Sequence, residues 1–236
     1  MYRGATDSNQ KIVTNGLILH LDAAQLRSYG GTGTTWSDLS GNGFNFTLNN
    51  GTAYSSSNGG IFSFDGVNDY ASRTMNSTLR PTTITLEGWV RKTSIINHTA
   101  FIIGLQYSTG FYKTYGLYYW DGRLTMVINQ TNLAIRGGGA ISANTWYHFV
   151  GTYDLSSIKT YADGVLEATT VYSSSIVYDT NNTELTIGST YDGTGYQVFN
   201  TRWWDGAMGI IRIYNRALTA TEILQNYNAN RTRFGK

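Results

Sequence analysis

Cysteine is absent from this 236-residue chain, which excludes disulfides, thiolate metal sites and any cysteine nucleophile. Proline occurs once, at Pro81, so the turns fall to 27 glycines together with asparagine and aspartate. Charge is scarce too. Lys and Arg number 17 against 15 Asp and Glu, a net charge of +2, and charged residues make up only 14% of the chain. The densest basic group, Arg231, Arg233 and Lys236, is too small for a nucleic-acid face, so no nucleic-acid partner is expected. Nowhere do about eighteen apolar residues run together as a membrane helix requires. The opening MYRGATDSNQKIVTNG also lacks the apolar run of a secretory signal, so a soluble chain without membrane insertion is expected. Neither a fixed repeat nor a heptad pattern is present, which removes solenoids, propellers and coiled coils.

What the chain does have is apolar and aromatic material, 41% and 14% of residues, enough for the core of one domain and too much for disorder. Gly, Asn and Asp recur between short alternating segments, the spacing of many antiparallel strands. The expected strands are Gly16–Asp22, Phe44–Leu48, Gly60–Asp65, Asp69–Ser72, Thr83–Lys92, Thr99–Tyr107, Tyr115–Trp120, Arg123–Asn129 and Thr131–Arg136. A second series follows at Thr145–Asp154, Ile158–Ala162, Val165–Thr170 and Glu184–Ser189. Asp121-Gly122 and Asp163-Gly164 read as tight type I′ hairpins, and Asp65-Gly66 as a turn joining two paired strands. After the turn around Trp203 to Gly206, a closing strand is expected to place Met208, Ile210, Arg212 and Tyr214 on one side and Ile211 and Ile213 on the other. Thr219 and Glu222 form a capping box for a short helix whose apolar stripe is Ile223, Leu224 and Tyr227.

Four landmarks carry a family likeness: DLSGNG from Asp38 to Gly43, FDGVNDY from Phe64 to Tyr70, TWYHFVGTYD from Thr145 to Asp154 with the hairpin KTYADGVLEA, and the closing strand and helix. Their joint order resembles the concanavalin A-like lectin/glucanase superfamily in its laminin-G-like form. With the ending NYNANRTRFGK, it is similar to versions in virion proteins of tailed bacteriophages. The resemblance implies an all-β fold: a two-sheet antiparallel β-sandwich, the concanavalin A-like jelly roll, with a short C-terminal helix. It would span residues 16–228, between a polar arm 1–15 and a tail 229–236. Members often carry an acidic residue just before the Val-Arg-Ile-Tyr part of the closing strand, where it helps to hold calcium. This chain has Gly209 and Ile210 there.

Calcium takes six to eight oxygens, and DLSGNGFN is rich in them. Asp38 and Asn42 are the candidate metal ligands, joined by Asp22 or Asp205 from another element; the same residues read equally as Asx turns around Gly41 and Gly43. Calcium is the one cofactor the sequence offers. Glycosidase chemistry needs two carboxylates flanking one bond, and of the four glutamates Glu222 caps a helix, Glu167 sits in a hairpin and Glu184 opens a strand, which leaves Glu87 without an acidic partner two to five residues away. No catalytic residue is therefore expected. His20 and His148, within alternating strands, read as structural histidines.

Aromatics beside amides and carboxylates suit sugar recognition, because rings pack on C–H faces while polar groups bond the hydroxyls. The candidate glycan-binding residues are Tyr118, Trp120, Tyr191, Asp192, Tyr196, Asn200 and Trp203, against the alternative that such rings fill the core. Trp89, Trp146 and Trp204 fall at places where the family has structural aromatics. The expected protein is a non-catalytic binding module, virion-associated if phage-encoded or otherwise on a surface, with glycans or another virion protein as partner. A decoration or assembly protein that forms a homo-oligomer is the alternative, and a polysaccharide hydrolase or lyase a third reading.

Overall fold

The computed structural model describes residues 11–95, 99–106, 113–129, 135–136, 140–178, 183–189 and 203–236. Along the chain the strands are β1 (Leu17–Asp22), β2 (Thr35–Trp36), β3 (Phe46–Asn49), β4 (Ala53–Ser55), β5 (Ile61–Asp65), β6 (Tyr70–Thr74), β7 (Ile84–Lys92) and β8 (Ala100–Gln106). There follow β9 (Lys113–Trp120), β10 (Arg123–Ile128), β11 (Ile135–Arg136), β12 (Trp146–Tyr153), β13 (Ser157–Ala162), β14 (Val165–Val171), β15 (Glu184–Ile187) and β16 (Asp205–Tyr214). Among the described residues one α-helix, α1 (Ala220–Asn230), runs into a 3-10 turn at Arg231–Phe234. The strands form two antiparallel sheets. The first has the order β14-β13-β12-β7-β16-β5-β4, and β1 shares an edge of β16 with β5; the second has the order β11-β10-β9-β8-β15-β6-β3-β2. This is the jelly-roll sandwich expected from the sequence.

The sheets pack because alternate residues of each are apolar on the facing side. Leu86, Phe149, Ile211 and Ile213 of the first sheet share one core with Ile103, Leu117, Tyr119 and Met126 of the second. At Gly151 the opposing sheet comes so close that a Cβ would collide with the thioether of Met126. Two hairpins form as expected. Asp121 and Gly122 have φ of 50° and 82°, and Asp163 and Gly164 repeat those values, the positive pair a type I′ turn requires.

Three sequence expectations are corrected. The strands on either side of Asp65-Gly66 do not pair with each other: β5 lies in the first sheet and β6 in the second. Asp65 instead makes a corner, its Oδ1 accepting N–H bonds from Val67 at 2.8 Å and Asn68 at 3.1 Å. In β16 the pairing with β7 shifts register between Met208 and Ile210, a bulge that turns Met208 into the core with Ile211 and Ile213. Helix α1 has the capping box at Thr219 and Glu222, but its buried residues are Ile223, Asn226 and Asn230, while Leu224 is exposed. The short strands β2 and β4, in glycine-, serine- and asparagine-rich sequence, were not anticipated.

Those buried asparagines explain how α1 docks on the outward side of the first sheet. Glu87, fully buried on β7, accepts from Arg212 of β16 through Oε1 and from Asn226 of α1 through Oε2 at 2.7 Å. His148 Nε2 of β12 lies 3.1 Å from Oε1, and Arg212 donates onward to Asn230 Oδ1 at 2.9 Å. Asn226 also bonds Tyr214 Oη at 2.9 Å and accepts the backbone N–H of Val13 at 2.8 Å. Beside this network Trp89 stacks on Phe234, with centroids 4.3 Å apart and planes 13° off parallel, and on Tyr227 at 5.8 Å. Burial alone would raise the Glu87 carboxyl, but Arg212, His148 and Asn226 outweigh it and bring its pKa down to about 2. His20, on neighbouring β1, is pushed down to about 3 by burial and then by Arg212.

Removing one member of a buried ion pair leaves the other charge uncompensated. Glu87→Gln is therefore expected to cost about 3–5 kcal/mol in urea unfolding at neutral pH. A carboxylate with a lowered folded pKa stabilises above its unfolded pKa and loses that contribution as pH falls through the folded one. The gap between wild type and Glu87→Gln should thus close between about pH 4.5 and about pH 2. A gap constant over that range would show that the network does not hold Glu87 ionised.

Candidate functional site

The side of the second sheet turned away from the core is built by the residues that alternate with core residues. Leu117 and Tyr119 of β9 face inward, so Gly116 and Tyr118 face out; by the same alternation Phe101, Gly104, Thr125, Val127, Thr186, Tyr70, Ser72 and Thr47 share that side. The register lines up Val127, Gly116, Gly104, Thr186, Ser72 and Thr47 across five strand pairs, a lane of mostly small and hydroxyl side chains. Beside it lie rings. Tyr118 stacks on Phe101 with centroids 5.4 Å apart, and Trp203 lies 6.0 Å from Tyr70. Thr186 Oγ1, fully buried, donates to the carbonyl of Ser189 at 2.7 Å. Among the outward positions of the described strands of this sheet the one carboxylate is Glu184, held by Thr74 at 3.2 Å.

The expected glycan contacts are placed unevenly. Trp120, at the Asp121-Gly122 hairpin, is 38% exposed, whereas Tyr118 is 3% and Trp203 8% exposed. Trp120 thus presents a ring to solvent while the other two line the sheet. Tyr191, Asp192, Tyr196 and Asn200 lie outside the described residues. Trp89, Trp146 and Trp204 are buried, as their structural reading requires.

The candidate calcium ligands are each occupied by protein groups. Asp38 Oδ1 accepts the N–H groups of His20 at 2.9 Å and Ser40 at 2.8 Å, while Oδ2 accepts Ser40 Oγ at 2.7 Å and the Phe44 N–H at 3.1 Å. Asn42 donates through Nδ2 to the Ile18 carbonyl at 3.0 Å. Asp22 pairs with Arg233 at 2.6 Å. Asp205 faces the ammonium of Lys92 and accepts the Ser94 N–H at 3.0 Å. Among the described residues no three His, Asp or Glu side chains converge on a point that an ion could fill. The residues do not fit a calcium ion shared by Asp22, Asp38, Asn42 and Asp205, because both Asp38 oxygens already serve Ser40 and loop N–H groups while Asp22 and Asp205 each face a cation of the protein.

Sequence reasoning missed the partners of these groups. Lys92 alternates with the inward Val90 on β7, so its 1% exposed side chain enters the sandwich, with its ammonium 5.0 Å from the Tyr119 ring and 5.4 Å from Trp204. The signal was present: a charged residue in the inward phase of an apolar strand needs a counter-ion. Glu87 and Arg212 give no such signal, because they stand in the outward phase of their strands and are buried only by the helix that covers them. Glu87, the remaining candidate for acid catalysis, is a sealed structural carboxylate with no exposed surface.

A family model described as the concanavalin A-like lectin/glucanases superfamily, laminin-G type, matches residues 64–224. No curated protein matches the chain. Among solved structures, the sialidase of Trypanosoma rangeli in complex with the inhibitor DANA is similar at 17% identity and a TM-score of 0.68, over 99% of this chain and 36% of that one. The chain spans about a third of the length of the sialidases it matches. Domain 4 of AbnA, a GH43 extracellular arabinanase from Geobacillus stearothermophilus in complex with arabinotriose, is similar at 18% identity and a TM-score of 0.65, over 89% of this chain and 98% of that one. The binding domain of Paraclostridial Mosquitocidal Protein 1 is similar at 15% identity and a TM-score of 0.68, over 91% and 52%. At these identities the likeness is one of fold, and that fold serves catalytic proteins and binding domains alike. No helix among the described residues is long and apolar enough to cross a membrane.

Asp205→Ala is expected to destabilise the protein by about 3 kcal/mol, because it removes a carboxylate that faces the buried Lys92 ammonium. Thermal unfolding of the variant should be equally low in calcium and in EDTA. A loss seen only in calcium would make Asp205 a metal ligand.

Proposed function

The chain belongs to the concanavalin A-like lectin/glucanase superfamily, and from that premise we propose that it is a non-catalytic module that binds glycans at the rim of its second sheet marked by Trp120. The observation that carries this reading is the exposed indole of Trp120 at the rim of a face rich in hydroxyl and aromatic side chains but carrying one described carboxylate. A ring offers its flat surface to the C–H side of a sugar. Hydrolysis by paired carboxylates needs a second acid within about 5–10 Å, which the described part of this face does not supply. The arabinanase domain seen with arabinotriose, almost matched in length by this chain, supports a carbohydrate ligand. Tyr191, Asp192, Tyr196 and Asn200 complete the proposed contact set with Tyr118, Trp120 and Trp203. A shallow site holds one sugar weakly, so the module gains avidity when several copies sit on one virion or cell surface. The resemblance of the sequence to virion proteins favours the former.

One observation favours assembly as a second reading. Strand β14, outermost in the first sheet, exposes Val165, Leu166 and Val171, at 63%, 50% and 84%. An apolar edge strand is a template for pairing with another chain.

A glycan array with the purified protein should return binders, and Trp120→Ala should weaken them about tenfold, the worth of one aromatic contact, in a variant whose circular dichroism shows it folded. Chromatography of the same oligosaccharides after incubation should show no shortened products. Absence of binding by a stable oligomer would instead support assembly, and shortened products would establish an enzyme.

A further inference from the structure

A buried positive charge near the end of the chain sits among oxygens from separate segments. Arg233 donates through one terminal nitrogen to Asp22 Oδ1, through Nε to the carbonyl of Asn58, and through the other terminal nitrogen to the carbonyl of Gly60, each at 2.6 Å. Its side chain is 6% exposed and that of Asp22 1%. The three oxygens come from the end of β1, from a 3-10 turn at Ser57–Gly59 and from the residue before β5, so one cation joins segments far apart in sequence. The other carboxylate oxygen, Asp22 Oδ2, is buried with no hydrogen-bond partner among the described residues. Space for the tail is made on β16. A Cβ at Gly209 would come within 2.7 Å of the Phe234 ring and 3.2 Å of the Arg233 guanidinium.

One carboxylate with a spare oxygen and two carbonyls form a hard, singly negative set, the kind of donor a divalent cation takes with water completing its shell. Here the guanidinium satisfies the same oxygens through directional N–H bonds. We propose that Arg233 is a built-in substitute for a calcium ion. The tail plugs a latent calcium site made of both Asp22 oxygens and the carbonyls of Asn58 and Gly60, and the protein thereby ties β1 to the start of β5 without metal. This explains the glycine at 209: a side chain there would evict the plug. The proposal is independent of what the other sheet binds.

The test uses the full chain as wild type, Arg233→Ala and Arg233→Ala/Asp22→Asn, each in EDTA and in about 5 mM calcium, above the affinity range of weak calcium modules. Wild-type Tm is expected to move by less than about 1 °C, and calorimetry to detect no calcium binding. Arg233→Ala should melt lower in EDTA and recover by about 5 °C or more in calcium, with one ion bound. The double variant should lose that recovery. If Arg233→Ala is insoluble in EDTA, recovery of folded protein in calcium supports the proposal, and insolubility in both overturns it. A folded Arg233→Ala indifferent to calcium also overturns it, as does calcium binding by the wild type or retained recovery in the double variant.

Discussion

The Glu87 carboxylate, sealed beneath the C-terminal helix, is the constraint on which the outer layer of this protein depends. It joins β7, β16, β12 and α1 at one point, and each bond it accepts comes from a different element. A buried charge is tolerable only when its partners are in place together, so the helix cannot dock without Asn226 nor the strands pair in another register without losing Arg212. The apolar core supplies most of the driving force for folding. The polar network determines which surface of the first sheet is covered and by what.

The two sheets consequently have different roles. The first is closed on its outward side by α1, by the stacked rings of Trp89, Tyr227 and Phe234, and by the tail that brings Arg233 to Asp22. The second carries on its outward side a lane of small residues bordered by rings, with Trp120 reaching solvent at one rim. Charge follows the same division. The buried ion pairs belong to the first sheet and its end, whereas the described outward positions of the second bear little charge.

Much of the fold was legible because strand alternation and turn chemistry are local. The Asp-Gly steps at 121–122 and 163–164 demanded positive φ and gave hairpins, and the Thr219–Glu222 box started the helix where expected. What was not legible was decided by distant contacts. Asp65-Gly66 has the same local chemistry as the true hairpins, yet its strands pair with β16 and β15, so the chain turns a corner between sheets. The bulge at Gly209 reversed the facing of Met208, and only the approach of Phe234 from the tail explains that glycine. For the site, composition identified aromatic rings but not their exposure: Tyr118 and Trp120 lie two residues apart, and one stacks under Phe101 while the other meets water. The acids proposed for a metal were recognisable as oxygen donors. Their cationic partners, Lys92 and Arg233, come from sequence positions no spacing rule connects to them.

Val13 and Phe234 both lie against the outward side of the first sheet, Val13 bonded to Asn226 and Phe234 stacked on Trp89. The path of the chain into the domain and its path away therefore share one pole, opposite the lane of Gly104, Gly116 and Thr186. A tether at either place holds the domain from behind. Copies anchored side by side would then all turn the second sheet away from the support, like bristles on a brush.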